Sequence, residues 1–312
     1  MKIVLKKFNI IKYLFITFFI VFLLNKKEKI YIKKLINKIK QKKINTKCFI
    51  SPELRNKKLF HIIITQFMIK FYKRDGFPRK MYTKEYIENG IRVMKRYLFP
   101  SLEYQKCKDF IWMLKLGNKA NITLIKSLLN ISLPFKSIII YNKDHKNFIR
   151  NITKNTDILI TTRIDYDDRI YFDAVNDVRK AINISRPIFL YGYNKGYIYF
   201  EKHDIYTIFF KQFNNEGSHS IFQSLIIFIN KVNDSYTVYD IGRHTLVRKK
   251  LLLNYKKFGL KKLEYEPSIF EDDIPKFVWV RQKYSGIYKY YNKPTTKSVC
   301  FNLDKFYGIK KQ

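Results

Sequence analysis

Residues 157–168 read DILITTRIDYDD, an apolar run of strand length that is followed at once by a cluster of aspartates. A run that is apolar at consecutive positions is typical of a strand covered on both faces, as in parallel sheets. In a doubly wound sheet, ligands bind beyond the carboxyl ends of the strands, which is where Asp165, Asp167 and Asp168 fall. The stretch therefore predicts an α/β fold and a candidate site at the same time.

Strands and helices alternate on both sides of this stretch. Before it, the apolar periodicity predicts strands at 60–65, 110–114 and 137–141, and helices from Thr83 to Pro100, at 120–129 and at 144–154. After this stretch, the same periodicity predicts strands at 188–193, 197–201 and 207–210, then a helix at 220–231 and a strand at 236–241. The alternation predicts a mainly parallel, doubly wound sheet, with antiparallel strands joining its edge.

The aspartate cluster has the composition of a metal site. Five of the fifteen aspartates lie between Asp165 and Asp177. Crowded carboxylates repel one another unless a cation neutralises them, and oxygen ligands suit Mg²⁺ or Mn²⁺. Such an ion can bridge the two phosphates of a nucleotide sugar and stabilise the departing diphosphate. The alternative is an acidic turn before the next helix with Asp168 as its N-cap; Asp173 and Asp177 are expected to be solvated on that helix.

The cluster also carries a family resemblance. The segment TTRIDYDD resembles the TTRLDNDD hallmark of a rhamnosyltransferase family among the GT-A glycosyltransferases, with Tyr166 replacing the usual Asn. Further segments resemble family elements in the same order: HIIITQF (61–67), YLFPSL (97–102), DFIW (109–112), LYGY (190–193) and GRHT (242–245). The similarity covers about residues 59–285 and implies a GT-A-like doubly wound mixed sheet.

The resemblance implies a transferase that moves a sugar, possibly rhamnose by the family label, from a nucleotide-diphospho-sugar to a glycan or lipid-linked acceptor. Asp165 and Asp167 would hold Mn²⁺ or Mg²⁺, and Asp165 would also contact the donor. Arg163 would bind donor phosphate, or else form a salt bridge to Asp165. Thr65 would lie near the nucleoside, or else its hydroxyl would satisfy the strand end.

An inverting transfer, which the resemblance implies, needs a general base. Asp273 is the first candidate and Asp272 the second, although a solvated loop before Pro275 explains them equally well. His244 is a candidate metal or phosphate ligand, with a structural histidine as the alternative. Where the family carries a histidine near its end, this chain has Gln282. This departure leaves a second hypothesis open, a membrane-tethered binding protein of the same fold that has lost catalysis.

The N-terminus is a separate unit. Residues 8–24 are apolar except for Lys12, so we expect residues 1–24 to form a hydrophobic membrane-anchoring helix; a signal-peptide core and a buried helix are the alternatives. A Lys-rich linker is expected at 25–56, a GT-A-like catalytic domain at 57–295 and a tail at 296–312. Lysines that follow the apolar run predict, by the positive-inside rule, a cytoplasmic catalytic domain.

Composition adds two expectations. Lys and Arg total 62 against 25 acidic residues, a net charge of +37. Because the lysines are spread along the chain and no groove-reading motif appears, we expect no nucleic-acid partner. The three cysteines (Cys48, Cys107 and Cys300) form no CxxC pair, so we expect buried thiols in a reducing compartment and not a disulfide.

Overall fold

The chain folds around a mixed sheet with helices on both faces. The computed structural model describes residues 48–69, 82–129, 133, 135–193, 195–201, 205–210, 222–232, 236–241, 250–251, 255–259 and 276–281. The strands are β1 (Leu59–Phe67), β2 (Ile111–Leu116), β3 (Lys136–Tyr141), β4 (Ile158–Arg163), β5 (Arg169–Ile170), β6 (Ile188–Gly192), β7 (Lys195–Phe200), β8 (Ile205–Phe210), β9 (Gln223–Phe228) and β10 (Phe277–Arg281). The α-helices are α1 (Lys84–Val93), α2 (Phe99–Glu103), α3 (Ile122–Leu128), α4 (His145–Thr153), α5 (Ala174–Lys180) and α6 (Val238–Ile241).

The main sheet has the strand order β3-β2-β1-β4-β9-β6. Strands β1 to β4 are parallel, whereas β9 runs antiparallel to both β4 and β6. Helices α1, α3 and α5 pack on one face, and α6 packs on the other. The prediction of a mixed α/β fold with a parallel-dominated central sheet is confirmed.

A second sheet follows the aspartate cluster. Its order is β5-β10-β7-β8, with β10 antiparallel to β5 and parallel to β7. Strands β7 and β8 pair as an antiparallel hairpin. The prediction that the later strands join the edge of one sheet is therefore wrong for these two strands, since only β6 joins the main sheet, through β9.

Two later elements are exchanged relative to the prediction. The expected helix at 220–231 is strand β9, and the expected strand at 236–241 contains helix α6. Every residue of β9 is buried because the strand lies between β4 and β6. A short run that is apolar on all sides does not distinguish a buried strand from a buried helix, and this ambiguity is the reason for the error.

The first predicted helix is longer than expected. Thr83 caps α1 by accepting a hydrogen bond from the Tyr86 amide, as predicted. Pro100 does not end the helix. A π-helical segment, Met94–Leu98, follows α1 directly, and Pro100 lies in the first turn of α2. The wider π turn shifts the backbone bonding to i→i−5, with the Phe99 amide donating to Met94, so proline is accommodated.

Cys48 and Cys107 form a disulfide, so the prediction of unpaired thiols is wrong for this pair. Their Cα atoms lie 4.6 Å apart, although 59 residues separate them in sequence. The bond ties the segment before β1 to the residues that lead into β2. A pairing between such distant positions depends on the tertiary fold, and cysteine spacing alone does not reveal it.

Asp173 and Asp177 are not solvated, contrary to the prediction. Their side chains are 14% and 12% exposed. The Asp177 carboxylate accepts hydrogen bonds from Tyr193 Oη at 3.0 Å and from Lys276 Nζ at 2.8 Å. Tyr193 and Lys276, the partners of Asp177, come from later in the sequence, and Lys106, which contacts Asp173, comes from earlier. The helical pattern alone could not indicate them.

The predicted anchor and most of the predicted linker lie outside the described residues. In the part of the chain that the structure describes, no helix combines the length and the apolar character needed to cross a bilayer. The predicted domain boundaries at 24, 56 and 295 remain predictions.

Candidate functional site

The candidate site lies at the carboxyl ends of β1, β2 and β4. Strand β1 stands between β2 on one side and β4 on the other, so the chain reverses its direction of winding between β1 and β4. In open α/β sheets, this switch point is where a crevice opens beyond the strand ends. The aspartate cluster follows β4 and therefore lies at the strand ends next to this switch point.

Long polar side chains share one face of the sheet at this edge. Gln66 pairs with Lys115 across β1 and β2, and Ile64 pairs with Arg163 across β1 and β4. Because side chains alternate between faces along a strand, Gln66, Lys115 and Arg163 all lie on the face that α6 covers. Lys115 is 3% exposed and Arg163 is 7% exposed.

The aspartates after β4 form a turn in which the carboxylates of Asp165 and Asp168 bind different partners. The Asp168 amide donates to the Asp165 carbonyl at 3.2 Å, which closes the turn. The Asp165 carboxylate accepts from Arg163 Nη2 at 3.2 Å and remains 34% exposed. Asp168 is buried, and its carboxylate accepts the Val280 amide of β10 at 3.2 Å. The cap hypothesis for Asp168 is thus wrong, since α5 begins at Ala174 with Asp173 as its N-cap.

Tyr166 anchors this turn from the other side. Its ring packs edge-on against Phe67 at the end of β1, with the ring centroids 5.3 Å apart. Burial raises the pKa of Tyr166 well above its ordinary value, and the nearby Asp167 charge raises it further. The phenol is therefore neutral, and Tyr166 anchors the turn through the Phe67 ring and a hydrogen bond with Tyr86, between two acidic residues.

Tyr239 of α6 covers the polar edge. Its hydroxyl donates to the Ile64 carbonyl at 3.4 Å, and burial raises its pKa. The Arg163 guanidinium lies 4.8 Å from the ring centroid, and Lys115 Nζ lies 5.5 Å from it. Both distances are within the range of cation–π attraction. One aromatic ring thus contacts two buried cations, near the carboxyl ends of β2 and β4.

A buried hydrogen bond between a histidine and an aspartate holds α6 in place. His145 at the start of α4 places Nε2 2.9 Å from the Asp240 carboxylate, and its Nδ1 lies 2.8 Å from the Asn142 carbonyl. The same carboxylate accepts from the amide and the hydroxyl of Thr237. Although burial alone would raise the pKa of Asp240, these hydrogen bonds and the interaction with His145 lower it to about 2. The bonds fix Tyr239, the neighbour of Asp240, over the sheet.

Asp165 and Asp167 are the residues that could hold a divalent cation. Both are partly exposed after β4, whereas Asp168 is directed to Val280. Within the described ranges, no group of three or more acidic, histidine or cysteine side chains is arranged for metal binding. The two side chains supply carboxylate oxygens of the kind that Mg²⁺ and Mn²⁺ prefer, and an ion held there would take its remaining oxygens from water and from a phosphate ligand.

The structure brings some of the predicted site residues together and not others. Arg163, Asp165 and Asp167 lie at the same strand end. Thr65 is fully buried and accepts a hydrogen bond from Trp112 Nε1 at 3.0 Å, on the face of the sheet opposite to Lys115. The predicted base candidates Asp272 and Asp273, the predicted ligand His244, and Gln282 lie outside the described residues.

Sequence reasoning missed two members of this edge. Lys115 is the one charged residue of β2, IWMLKL, and every residue of that strand is buried. A charge near the carboxyl end of a buried parallel strand was a usable signal. Tyr239 carried no such signal, because its segment was expected to be a strand.

Comparison with solved structures gives distant similarities. The mannosyltransferase PcManGT from Pyrobaculum calidifontis, solved with GDP-Man and Mn²⁺, aligns with a TM-score of 0.41 at 8% identity, over 82% of this chain and 65% of that one. Residues 1–349 of S. aureus TarS align with a TM-score of 0.35 at 11% identity, over 71% of this chain and 60% of that one. The inositol-1-phosphate CTP transferase from T. maritima aligns with a TM-score of 0.36 at 11% identity, over 74% of this chain and 94% of that one.

The chain thus spans less than two thirds of the length of the first two of these structures. No protein-family model and no curated protein matches the sequence. At this level of similarity, function has to be inferred from the side chains of the site itself.

Proposed function

We propose that this protein is a glycosyltransferase that transfers a sugar from a nucleotide-diphospho-sugar to a hydroxyl of a glycan or lipid-linked acceptor. Mn²⁺ or Mg²⁺ would be held by Asp165 and Asp167. The observation that carries the proposal is the position of these two carboxylates, at the end of β4 and beside the switch point between β1 and β4. This is the position at which α/β sheets bind nucleotides.

The composition of the site suits a phosphorylated donor. Two carboxylates can hold a divalent cation, while the adjacent Arg163 supplies a fixed positive charge with planar hydrogen-bond donors. When bound, the ion would neutralise charge on the diphosphate as the sugar–phosphate bond breaks. The bond from Arg163 to Asp165 keeps the carboxylate at the strand end and leaves it partly exposed.

The finer parts of the proposal rest on the sequence resemblance. They are the transfer of rhamnose, an inverting outcome, and general-base catalysis by Asp273 or Asp272. Inversion requires a base that removes the proton of the acceptor hydroxyl on the side opposite to the leaving diphosphate. His244 is proposed as a third ligand of the ion.

Donor binding by the full chain tests the proposal. Binding of UDP-, GDP- and dTDP-sugars would be measured by calorimetry with Mn²⁺, with Mg²⁺ and with chelator, for wild type and for Asp167→Asn. We expect one donor class to bind at least about tenfold more tightly with metal, and Asp167→Asn to abolish that gain, because a charged hydrogen-bonding or ligand group contributes about 1.5–3 kcal/mol. Glu53→Gln, an equal charge change at an exposed residue before β1, is the matched control and should change nothing.

The outcomes separate the two functions that the sequence left open. Metal-linked binding together with slow donor hydrolysis supports the transferase. Metal-linked binding with no hydrolysis or transfer to any acceptor supports the catalytically inactive binding protein. If the folded wild-type protein binds no nucleotide sugar under any metal condition, the proposal is wrong.

A further inference from the structure

Lys115 is a buried cation that the proposed metal chemistry does not use. It is 3% exposed and lies near the carboxyl end of β2, two strands away from the aspartate turn. Among the described residues, no carboxylate lies within salt-bridge distance of Nζ and no acceptor forms a hydrogen bond to it; the group it meets is the Tyr239 ring. Burying a charged amine without a counterion is costly, so a lysine in this position indicates an anionic ligand.

The charged groups around Lys115 leave a net positive edge. Asp240 of α6 attracts the ammonium but is already bonded by His145 and Thr237. Lys146 of α4 repels it, and burial together with this repulsion lowers the pKa of Lys115 to about 8.

The Arg163 guanidinium is the second cation in contact with the Tyr239 ring, and its Nη2 donates a hydrogen bond to the Asp165 carboxylate. In the described part of the chain, its buried Nε has no hydrogen-bond partner. Two cations therefore converge on Tyr239 with unused hydrogen-bonding capacity.

We propose that Lys115 and Arg163, held by the Tyr239 ring, form a binding subsite for the diphosphate of the nucleotide donor. The inference rests on the proposed function and deepens it. It assigns part of diphosphate binding to protein cations, so that some affinity persists without metal. Lys115 acts as a point charge, whereas Arg163 offers a planar set of donors, and the two together suit a ligand with several phosphate oxygens.

The test measures binding of a nucleoside diphosphate to the full chain by calorimetry, in chelator and in Mn²⁺, at pH 7. The panel is UDP, GDP and dTDP, with the corresponding nucleosides and inorganic pyrophosphate as separate ligands. The variants are Lys115→Gln, Lys115→Arg and the control Lys57→Gln, an exposed lysine at the amino end of β1. Thermal unfolding of each variant establishes that it is folded.

We expect Lys115→Gln to weaken diphosphate and pyrophosphate binding about 10- to 100-fold, in chelator as well as in Mn²⁺, and to leave nucleoside binding unchanged. Lys115→Arg should restore binding and remove its dependence on pH. Wild-type affinity should fall as pH rises from 7 to 9.5, because Lys115 loses its proton near pH 8 and arginine does not.

Two results overturn the inference. If folded Lys115→Gln binds the diphosphate as tightly as wild type while Asp167→Asn loses metal-linked binding, the proposed function stands and the Lys115 subsite is wrong. If the folded wild-type protein binds neither nucleoside diphosphate nor pyrophosphate, both are wrong.

Discussion

Removing the bond between Cys48 and Cys107 should destabilise the domain measurably. The two residues close a loop with a sequence separation of 59. In the chain-entropy description, cross-linking a loop of this length removes about 14 cal/mol/K from the unfolded chain, which is about 4 kcal/mol at 25 °C. A domain of this size loses about 2 °C of melting temperature per kcal/mol, so Cys107→Ser should lower the melting temperature by about 8 °C.

Thermal unfolding followed by circular dichroism checks this value, with Cys300→Ser as the control that keeps the pair. Reductant should lower the melting temperature of wild type and of Cys300→Ser, but not that of Cys107→Ser. Alkylation of the denatured, unreduced protein should label one of its three cysteines. Labelling of all three, or equal melting temperatures for wild type and Cys107→Ser, would refute the reasoning.

The same alkylation experiment bears on where the protein works. Lysines after the apolar N-terminal run predict a cytoplasmic catalytic domain, whereas stable disulfides are typical of oxidising compartments. Quenching intact cells in acid, and then alkylating the denatured protein without reductant, decides between these expectations, because denaturation exposes the buried Cys107. Protection of Cys48 and Cys107 from the reagent would favour an extracytoplasmic domain, and labelling of both would favour the cytoplasm.

Two further predictions concern packing and pH. Gly90→Ala should destabilise the protein by about 1–3 kcal/mol in urea denaturation, despite the better helix propensity of alanine. The reason is that a Cβ at this position would stand 2.4 Å from the Phe67 ring. An unchanged free energy of unfolding would contradict the prediction. The depressed pKa of Asp240 should stabilise the fold by about 2 kcal/mol above pH 4, and this contribution should disappear as pH falls from about 4 to 2. Asp240→Asn should remove this pH-dependent contribution, so the unfolding free energies of the variant and of wild type should approach each other at low pH. A difference between the two proteins that is the same at pH 6 and at pH 2.5 would contradict the assignment to Asp240.

Local sequence signals predicted the first half of the fold well. Strands β1 to β4 and helix α1, with its Thr83 cap, follow from apolar periodicity and capping chemistry, and the candidate site follows from an acidic cluster after a buried strand. These features depend on neighbouring residues, so they can be read from short windows of sequence.

The features that the sequence did not predict depend on distant partners. Strand β9 is a strand because β4 and β6 enclose it, and Cys48 pairs with Cys107 because the fold brings them together. Asp168 likewise belongs to the motif by sequence but binds the amide of Val280. One motif thus contains two accessible carboxylates and one that connects the turn to the second sheet, and periodicity does not separate these roles.

The position of β10 in the second sheet has a consequence for synthesis on the ribosome. Strand β10 lies between β5 and β7, although it follows both in the sequence. The acidic turn at 165–168 is synthesised first, and the amide that binds Asp168 is made 112 residues later. The growing chain therefore gains 112 further residues before the amide that binds Asp168 exists. Because such long-range pairing is slow and leaves strand edges exposed, the nascent protein is open to misassembly until β10 is inserted between β5 and β7.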